Sequence, residues 1–398
     1  MNDSTSLRQQ FLNHYGRSGS ELRSFIAPGR VNLIGEHIDY NGGLVMPAAL
    51  SMGITAVCRL RTDHTAHFSS SSGVADVEVD LDRPIVAVRE RGWGNYPAGV
   101  LHELITAGYD LPGADVLFSS TLPQGAGLSS SAALEVLTAY MFATLTGIAQ
   151  LSLKTIAVLC QRTENTFIGV NCGIMDQFAA ALGKAGNAIV LDCATLDHRY
   201  VPINFDACRL VIMDTGAPHN LTVSKYNERR SECDRASSLL GTALPAAGLA
   251  HARLEDAEAM ITDPLLLRRA RHVITEQQRV EQSVVLLAAG DTTGFGRVLS
   301  ASHASLRNDY EVTGPHLDAI VDAAASLPDC LGARMTGAGF GGCAIALVRE
   351  PAIGEFTARV ESAYKAAMGL EPHFYPAHVA DGVHETTEEA AWRTPEGN

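Results

Sequence analysis

A glycine- and serine-rich stretch, PQGAGLSSSA at residues 123–132, lies between a predicted strand at residues 115–119 and a predicted helix at residues 129–146. Glycines at such a junction let the backbone approach a ligand and turn its N–H groups inward. The helix start also carries the positive end of the helix dipole, which favours a phosphate group. A plain helix cap needs one serine, so GxG followed by three serines predicts a phosphate-binding loop. No Gly-Lys-Ser/Thr follows, and the loop is therefore not of the Walker A type.

Composition narrows the classes of protein that can carry such a loop. The chain has 398 residues, which suggests two or three domains or one large one, and 46% of them are hydrophobic, enough for a sizeable core. Its net charge of −14 argues against a large basic surface, and so against a nucleic-acid partner. The N-terminus shows no secretory signal, and the most apolar stretch, residues 132–151, contains Glu135 and is typical of a buried helix rather than a membrane span. We therefore expect a soluble, cytoplasmic protein with no membrane partner.

The eight cysteines give no sign of a metal site or a disulfide scaffold. No two of them have CxxC spacing, which argues against a zinc ribbon or a thioredoxin-type site. They are scattered along a long chain, unlike the dense cysteines of small secreted domains. We expect reduced, mostly buried thiols.

The pattern of hydrophobic residues changes near residue 200. Residues 25–120 contain Val, Ile and Thr runs broken by Gly, Asp and Pro, which is typical of strands and hairpins. Later segments are mostly helical, and apolar residues within 263–289 recur on one helix face. The sequence predicts an α+β protein of two lobes, with domains at residues 1–200 and 201–398, and leaves open a return of the tail to the first lobe. The polar end after residue 382 is expected to fray. Further helices are predicted at 100–105, 152–167, 176–183, 226–240 and 352–367, and further strands at 188–192, 210–214 and 341–348.

A second motif, APGRVNLIGEHIDYNGG at residues 27–43, brings charged side chains to the end of a predicted strand. Arg30, Glu36, His37 and Asp39 lie close together in it, ahead of Asn-Gly-Gly. Carboxylates beside a histidine suit paired hydrogen bonds to neighbouring hydroxyls. The composition alone leaves a hairpin turn with solvated charges equally open.

Two further motifs have less specific chemistry. In ENTFIGVNCGIMDQF, residues 164–178, Asp176 opens a predicted helix; the spacing favours a helix cap and leaves a base or a metal ligand open. In RMTGAGFGGCAIAL, residues 334–347, Gly337, Gly339 and Gly342 form GxGxxG. A dinucleotide fingerprint is excluded because the strand follows the glycines instead of preceding them. A close approach to a substrate or to the phosphate loop and a purely structural turn both stay open.

Together these segments resemble the galactokinases of the GHMP kinase superfamily. APGRVNLIGEH-x-DYN is similar to the galactokinase sugar signature, PQGAGLSSSA to the superfamily phosphate loop, and MTGAGFGGC to its third motif. CGIMDQF, SKYNERR and SHASLRNDYEVTGP also resemble galactokinase sequence, so the likeness runs from about residue 25 to about residue 348. Ile38 departs from the pattern, since the family usually has Thr there, at a position expected to contribute packing or backbone.

The resemblance implies a fold and an activity. The fold would be the two-lobed GHMP kinase fold: an N-terminal lobe with a mixed sheet, like domain 2 of ribosomal protein S5, a C-terminal α/β lobe, and the active site between them. The activity would be ATP-dependent phosphorylation of galactose at its anomeric hydroxyl, the first committed step of galactose use by the Leloir pathway. ATP would be the co-substrate and Mg²⁺ the cofactor, and the protein would be a monomer.

The resemblance also assigns residues by motif position. Asp176 resembles the proton acceptor and Arg30 a stabiliser of the negative charge that builds up during transfer. Ser131 and Glu164 resemble the magnesium ligands, and hard oxygen donors suit that ion. Trp93 and Tyr96, in a WxNY segment, resemble adenine contacts, with an ordinary aromatic packing pair as the alternative. The implied sugar ligands are Glu36, His37, Ile38, Asp39, Gly173 and Tyr226. The implied nucleotide loop is Gly125, Ala126, Gly127, Leu128, Ser129, Ser130 and Ser131.

Two other functions remain as alternatives. A related kinase could act on N-acetylgalactosamine, arabinose, mevalonate or homoserine, although the EH-x-D cluster favours a hexose over the last two. A galactokinase-like sensor could bind sugar and nucleotide and regulate transcription through a partner. Such sensors are disabled in the phosphate loop, whereas SSSAA at residues 129–133 is intact.

Overall fold

The computed structural model describes residues 6–17, 19–123, 125, 127–148, 151–217 and 222–386. Its first half is built on a six-stranded sheet with the strand order β13-β1-β3-β6-β4-β5. The pair β4–β6 is parallel and the other neighbours are antiparallel, so the sheet is mixed, as predicted. Its strands are β1 (Arg23–Asn32), β3 (Pro47–Leu60), β4 (Thr65–Ser70), β5 (Val77–Asp80), β6 (Ala114–Ser120) and β13 (His384–Thr386).

Helices α3 and α5 pack on β1 and β3 of this sheet. α3 is apolar on nearly every side, which is why it is buried along most of its length. Its first turn follows the phosphate-loop segment, and α5 starts beside it with Asp176 in the first turn. The helices of the first half are α1 (Leu7–Tyr15), α2 (Asn95–Thr106), α3 (Ser130–Leu145), α4 (Leu153–Arg162) and α5 (Met175–Leu182).

The first half of the fold also contains a three-stranded sheet, ordered β2-β7-β8. It contains β2 (Leu44–Val45), β7 (Asn187–Asp192) and β8 (His198–Pro202). The long helix α8 of the second half contacts β2 and β8, so the two halves are packed together here.

The second half is built on a four-stranded antiparallel sheet ordered β10-β11-β9-β12. Helix α9 packs on β10, and α10 packs on β10, β11 and α11. The strands are β9 (Cys208–Asp214), β10 (Cys330–Met335), β11 (Cys343–Arg349) and β12 (His373–Pro376). The helices are α6 (Thr222–Leu240), α7 (Leu254–Met260), α8 (Pro264–Ala288), α9 (Thr292–Ser305), α10 (Gly314–Ala325) and α11 (Ile353–Met368).

The end of the described chain lies against the first sheet. β13 pairs with β1, Ala380 N donates to Ala49 O, and Gly382 N donates to Gly183 O. The prediction of a frayed end is therefore wrong for the residues of β13, because main-chain pairing satisfies their polar groups. The rest of that predicted segment lies outside the described residues.

Two expectations from composition can be compared with the described structure. All eight cysteines lie in described parts of the chain, and none of them forms a disulfide. Among the described helices, none combines the length and the apolar character that crossing a bilayer requires.

Candidate active site

A cavity of about 170 Å³ lies where both halves of the fold meet. Its walls come from the segment after β1, from the start of α5, from helix α6 and from the turn after β10. Residues far apart in sequence therefore face one space. Most of the residues implied by the sugar and base motifs are among them. Its lining is Arg30, Glu36, His37, Asp39, Glu164, Val170, Cys172, Gly173, Met175, Asp176, Tyr226, Gly337 and Ala338.

Asp176 is held in this cavity by a buried arginine and a serine. Arg30 donates from Nε to Asp176 Oδ1 over 2.8 Å and from Nη2 to Oδ2 over 2.9 Å, a bidentate ion pair. The Ser129 hydroxyl donates to the same Oδ2. Arg30 also donates from Nη1 to the Gly127 carbonyl over 2.8 Å, which links Asp176 to the phosphate-loop segment. The pair fixes the position of a carboxylate that is itself partly accessible from the cavity.

Asp39 lies directly against the backbone of Gly173. A Cβ atom built at Gly173 would overlap Asp39 Oδ2, so a larger residue there would force the Asp39 side chain to move. Burial and the nearby carboxylate of Asp176 raise the pKa of Asp39 to about 7. Asp39 and Asp176 face the same small cavity.

The imidazole of His37 has a protein partner on each ring nitrogen. Nδ1 lies 2.7 Å from Tyr40 Oη, and Nε2 lies 3.1 Å from the Ala338 carbonyl. A carbonyl can only accept, so Nε2 carries the proton and Nδ1 accepts from Tyr40. Burial lowers the pKa of His37 to about 3, which keeps the ring neutral. His37 therefore lines the cavity with a ring whose hydrogen-bonding atoms are engaged by the protein, and its ring centroid is 5.5 Å from that of Tyr226.

Glu36 is buried and is bound from both halves of the fold. Its Oε1 accepts from Gly337 N over 2.8 Å and lies 3.0 Å from Arg334 Nη2, while Oε2 accepts from Asn32 Nδ2 over 2.9 Å. Its main-chain carbonyl accepts from His272 Nε2 over 3.1 Å.

The structure does not bring Ile38 into the cavity. Its side chain is fully buried in the hydrophobic core, and a Cβ atom at Gly43 would press on it. Ile38 thus contributes packing beneath the polar residues of the motif.

A second, more open cavity of about 510 Å³ lies beside the start of α3. Ser130 and Ser131 line one side of it, and Trp93 and Tyr96 line another. Trp93 donates from its indole N–H to the Ala75 carbonyl over 3.1 Å and packs edge-on against Phe118. Four of the nine implied nucleotide contacts, Ser130, Ser131, Trp93 and Tyr96, thus share a cavity large enough for a sizeable ligand.

The remaining loop residues differ in what they expose. Gly125 and Gly127 have φ of 72° and 70°, a conformation that glycine adopts without strain. Leu128 is buried, and its carbonyl accepts from Arg30 N over 3.2 Å. Ser129 also has a positive φ of 61°, which directs its side chain to Asp176. Ala126 lies outside the described residues.

The donors near Ser131 suit a magnesium ion. Ser131 lies near Glu164, whose pKa is raised by burial. Glu135, one helical turn after Ser131, is fully buried, and its Oε1 has no hydrogen-bond partner among the described residues. Burial and the neighbouring Glu164 raise the pKa of Glu135, and a divalent cation bound nearby would favour the ionised forms of both carboxyl groups. Among the described residues, no three His, Cys, Asp or Glu side chains could hold a metal together. A hydroxyl and a carboxylate are few ligands, which fits an ion that also keeps water and phosphate oxygens.

The structure adds two residues to the predicted site and gives two residues of the predicted motifs specific partners. Tyr40 and Ala338 bind His37, Gly337 binds Glu36, and Ser129 binds Asp176 rather than lining the open cavity. The glycine-rich turn at residues 336–342 was a visible signal for Gly337. A Cβ atom there would press against the Gly127 carbonyl, so the turn approaches both the sugar motif and the phosphate-loop segment.

Comparison with known proteins supplies the family. The galactokinase galactose-binding signature matches residues 9–60, the GHMP kinase N-terminal domain residues 95–184, and the GHMP kinase C-terminal domain residues 283–366. The galactokinase of Clostridium tetani is 44% identical over 382 residues, which are 95% of this chain and 97% of that protein. The chain belongs to the galactokinase family. This galactokinase-family chain is therefore an enzyme, a phosphotransferase, as the sequence predicted.

Two more relatives agree with this assignment. The galactokinase of Exiguobacterium sibiricum is 44% identical over 395 residues, 98% of this chain and all of that protein. A crystal structure of Lactococcus lactis galactokinase complexed with galactose superposes with a TM-score of 0.92 at 40% identity, covering 96% of this chain and 99% of that one. A mevalonate kinase structure, at 18% identity and a TM-score of 0.64, shares the fold alone. The two-lobed GHMP kinase fold predicted from the sequence is thereby confirmed.

Proposed function

We propose that this galactokinase-family enzyme transfers the γ-phosphoryl group of ATP to the anomeric hydroxyl of galactose. Galactose would occupy the 170 Å³ cavity, and ATP the adjacent 510 Å³ cavity beside α3. The observation that carries the proposal is the Arg30–Asp176 pair, because it lies in the smaller cavity and is tied through Gly127 and Ser129 to the segment that borders the larger one.

Asp176 accepts the proton in this proposal. As the anomeric oxygen bonds to the γ-phosphorus, the bond from phosphorus to the bridging oxygen of ADP breaks, and the hydroxyl proton passes to an Asp176 carboxylate oxygen. Such a base typically contributes about 10²–10⁴ in rate. The bidentate contact with Arg30 fixes the carboxylate, and positioning of the acceptor oxygen is a large part of phosphoryl-transfer catalysis.

Arg30 and the start of α3 meet the negative charge of the transferring group. The guanidinium is buried, so its charge is poorly screened by water and acts strongly at short range. The free N–H groups in the first turn of α3 favour phosphate oxygens. Ser131 and Glu164 would hold Mg²⁺, which when bound neutralises phosphate charge and orients the triphosphate. Trp93 and Tyr96 would bind the adenine.

The sugar would be recognised by Glu36, Asp39, the backbone at Gly173 and the aromatic ring of Tyr226. Both carboxylates can accept hydrogen bonds from hydroxyls. His37 would act mainly through the shape of its ring, since both of its nitrogens have protein partners.

The test is ADP formation across a panel of sugars, measured with and without magnesium. We expect galactose to give the highest kcat/KM and the reaction to require the metal. N-Acetylgalactosamine and arabinose are the informative competitors. A higher kcat/KM for either of them would contradict the proposed substrate, and galactose binding without ADP formation would favour the sensor function.

A further inference from the structure

Glu36 is the carboxylate of the smaller cavity that the second half of the fold holds most extensively. Two of its three side-chain partners, Arg334 and Gly337, come from the end of β10 and the turn after it. Only Asn32, at the end of β1, belongs to the first half. The position of this carboxylate therefore depends on residues about 300 positions away in the sequence.

Arg334 is the cation of this arrangement, and it is fully buried. Its Nη2 lies 3.0 Å from Glu36 Oε1, and its Nη1 donates to the carbonyls of Asn32 over 3.2 Å and Leu33 over 2.8 Å. A guanidinium presents several donors in one rigid plane, so these contacts fix both the orientation of the group and the position of its charge. One side chain of the second half thus binds both the Glu36 carboxylate and the end of the strand that leads to it.

Glu36 offers an acceptor to a ligand, because it lines the smaller cavity. The Arg334 guanidinium lies against this carboxylate, and a carboxylate accepts hydrogen bonds and donates none.

We propose that Arg334 is a positioning residue that holds Glu36 as a fixed contact for one sugar hydroxyl. Because Glu36 only accepts hydrogen bonds, the enzyme would then select sugars that carry a hydrogen-bond donor at the carbon facing Glu36. The inference rests on the proposed function, because it requires a sugar in the smaller cavity. Arg334 itself does not line the cavity and acts through Glu36. Sites built around a buried polar group discriminate strongly against ligands that leave that group unpaired.

Galactose analogues with one hydroxyl replaced by fluorine provide the test, because fluorine accepts a weak hydrogen bond but cannot donate one. Affinities for galactose and each fluoro analogue would be measured by calorimetry for the wild type, Arg334→Met and Glu36→Gln. In the wild type we expect one analogue to bind about tenfold or more worse than galactose, because its fluorine faces the carboxylate. In Glu36→Gln the ratio of galactose affinity to the affinity of that analogue should fall, since the amide N–H₂ can donate toward fluorine.

For Arg334→Met we expect weaker galactose binding. The fluorine penalty, that is, the factor by which the fluoro analogue at the Glu36-facing carbon binds worse than galactose, should be lost. KM for ATP should stay within about twofold of the wild type. A merely structural role would weaken all analogues alike and leave the ratio unchanged. Arg334→Lys, which keeps the charge, should restore much of the penalty. Arg59→Met is the matched control: Arg59 is another buried arginine, paired with Asp115 on the first sheet away from the cavity, and its loss should leave the ratio at the wild-type value.

An unchanged fluorine ratio in Arg334→Met would overturn the inference while leaving the proposed function intact. Failure of the wild type to form ADP from galactose would instead count against the proposed function. If Arg334→Met does not fold, Arg334→Gln with the same analogues decides the matter, because it also removes the charge: a smaller penalty at only the Glu36-facing carbon supports the inference, and an unaltered set of ratios with weaker binding contradicts it.

Discussion

At the scale of single residues, the candidate site is arranged around carboxylates in unequal surroundings. Asp176 receives three hydrogen bonds, two from Arg30 and one from Ser129. Asp39 lies nearby in the same cavity with a raised pKa and packs against Gly173. In the proposed mechanism, Asp176 accepts the proton and Asp39 contacts a sugar hydroxyl.

Asp176→Asn tests the first of these tasks. The amide keeps the shape of the side chain but cannot take the proton, so we expect kcat to fall by about 10²–10⁴. Galactose affinity should change much less, because the amide oxygen can still accept a hydrogen bond. Steady-state kinetics together with calorimetric galactose binding separate the two effects. Turnover at the wild-type rate would refute the assignment of the base.

Asp39 predicts a dependence of stability on pH. Its pKa rises from an ordinary 3.8 to about 7 in the fold, so between those values the native protein holds a proton that the unfolded chain releases. This group's contribution to the free energy of unfolding is therefore fully present below about pH 4 and is lost as the pH rises through about 7. Asp39→Asn removes the effect.

Urea unfolding of ligand-free wild type and Asp39→Asn would check this. The variant should gain stability relative to the wild type on going from about pH 5 to about pH 8. An identical difference between the two proteins at both pH values would contradict it. Galactose binding should be weakened in the variant, so greater stability and poorer binding are expected together.

The sequence could indicate which residues form the site but not how they contact each other. Arg30, Glu36 and Asp176 lie in motifs whose chemistry the sequence alone indicates. The pairing of Ser129 with Asp176, and of His37 with Ala338, joins residues 47 and 301 positions apart. Ser129 was assigned to the nucleotide because it stands in the serine run of the phosphate-loop motif, and its positive φ turns it toward Asp176. His37 was assigned to the sugar by its place in the sugar motif, and no local pattern reveals that both of its ring nitrogens are engaged.

At the scale of elements, the junction of the phosphate-loop segment with α3 connects the two cavities. The first residues of α3, Ser130 and Ser131, face the larger cavity, and the preceding Ser129 binds Asp176 of the smaller one. The strand and helix on either side of this segment were predicted correctly, because a strand-to-helix transition has a strong periodicity signal. A small shift of the segment would therefore affect both cavities together.

Ser131→Ala tests the helix start. Loss of the hydroxyl removes a proposed magnesium ligand near Glu164, so KM for magnesium–ATP should rise by about tenfold or more. Galactose affinity without nucleotide should stay near the wild-type value. Ser152→Ala is a suitable control, since Ser152 caps α4 and its loss lowers stability without touching either cavity. Equal effects of the two variants on KM would argue against a specific function of Ser131.

Other elements show where local patterns stop being informative. The predicted strand at residues 341–348 begins two residues later, at β11, because Gly341 and Gly342 adopt positive φ in the turn. The predicted helix at residues 152–167 changes after α4 into a wider helical turn at Thr163–Ile168, which places Glu164 on the cavity wall. α9 and α10 were not predicted, since short amphipathic helices with several small residues give weak periodicity. Their stability comes from packing on β10.

At the scale of the whole molecule, the end of the described chain connects the two lobes. From β12, at the edge of the second sheet, the chain runs to β13, at the edge of the first. Main-chain hydrogen bonds from Ala380, Gly382 and Val383 attach it to β3 and to the end of α5, and Glu385 pairs with Arg23 over 2.6 Å. A sheet edge covered in this way is protected from pairing with other chains.

Truncation after Pro376 would remove all of these contacts while leaving β12 in place. We expect Tm to fall by at least about 5 °C, because several main-chain hydrogen bonds and the buried side chain of Val383 are lost together. The exposed edge of β1 should also make the protein prone to self-association, which light scattering would detect. Truncation after Thr386 is the control, since every contact named above survives it. If both truncations melted at the wild-type temperature, the segment would only lie on the first lobe and not stabilise it.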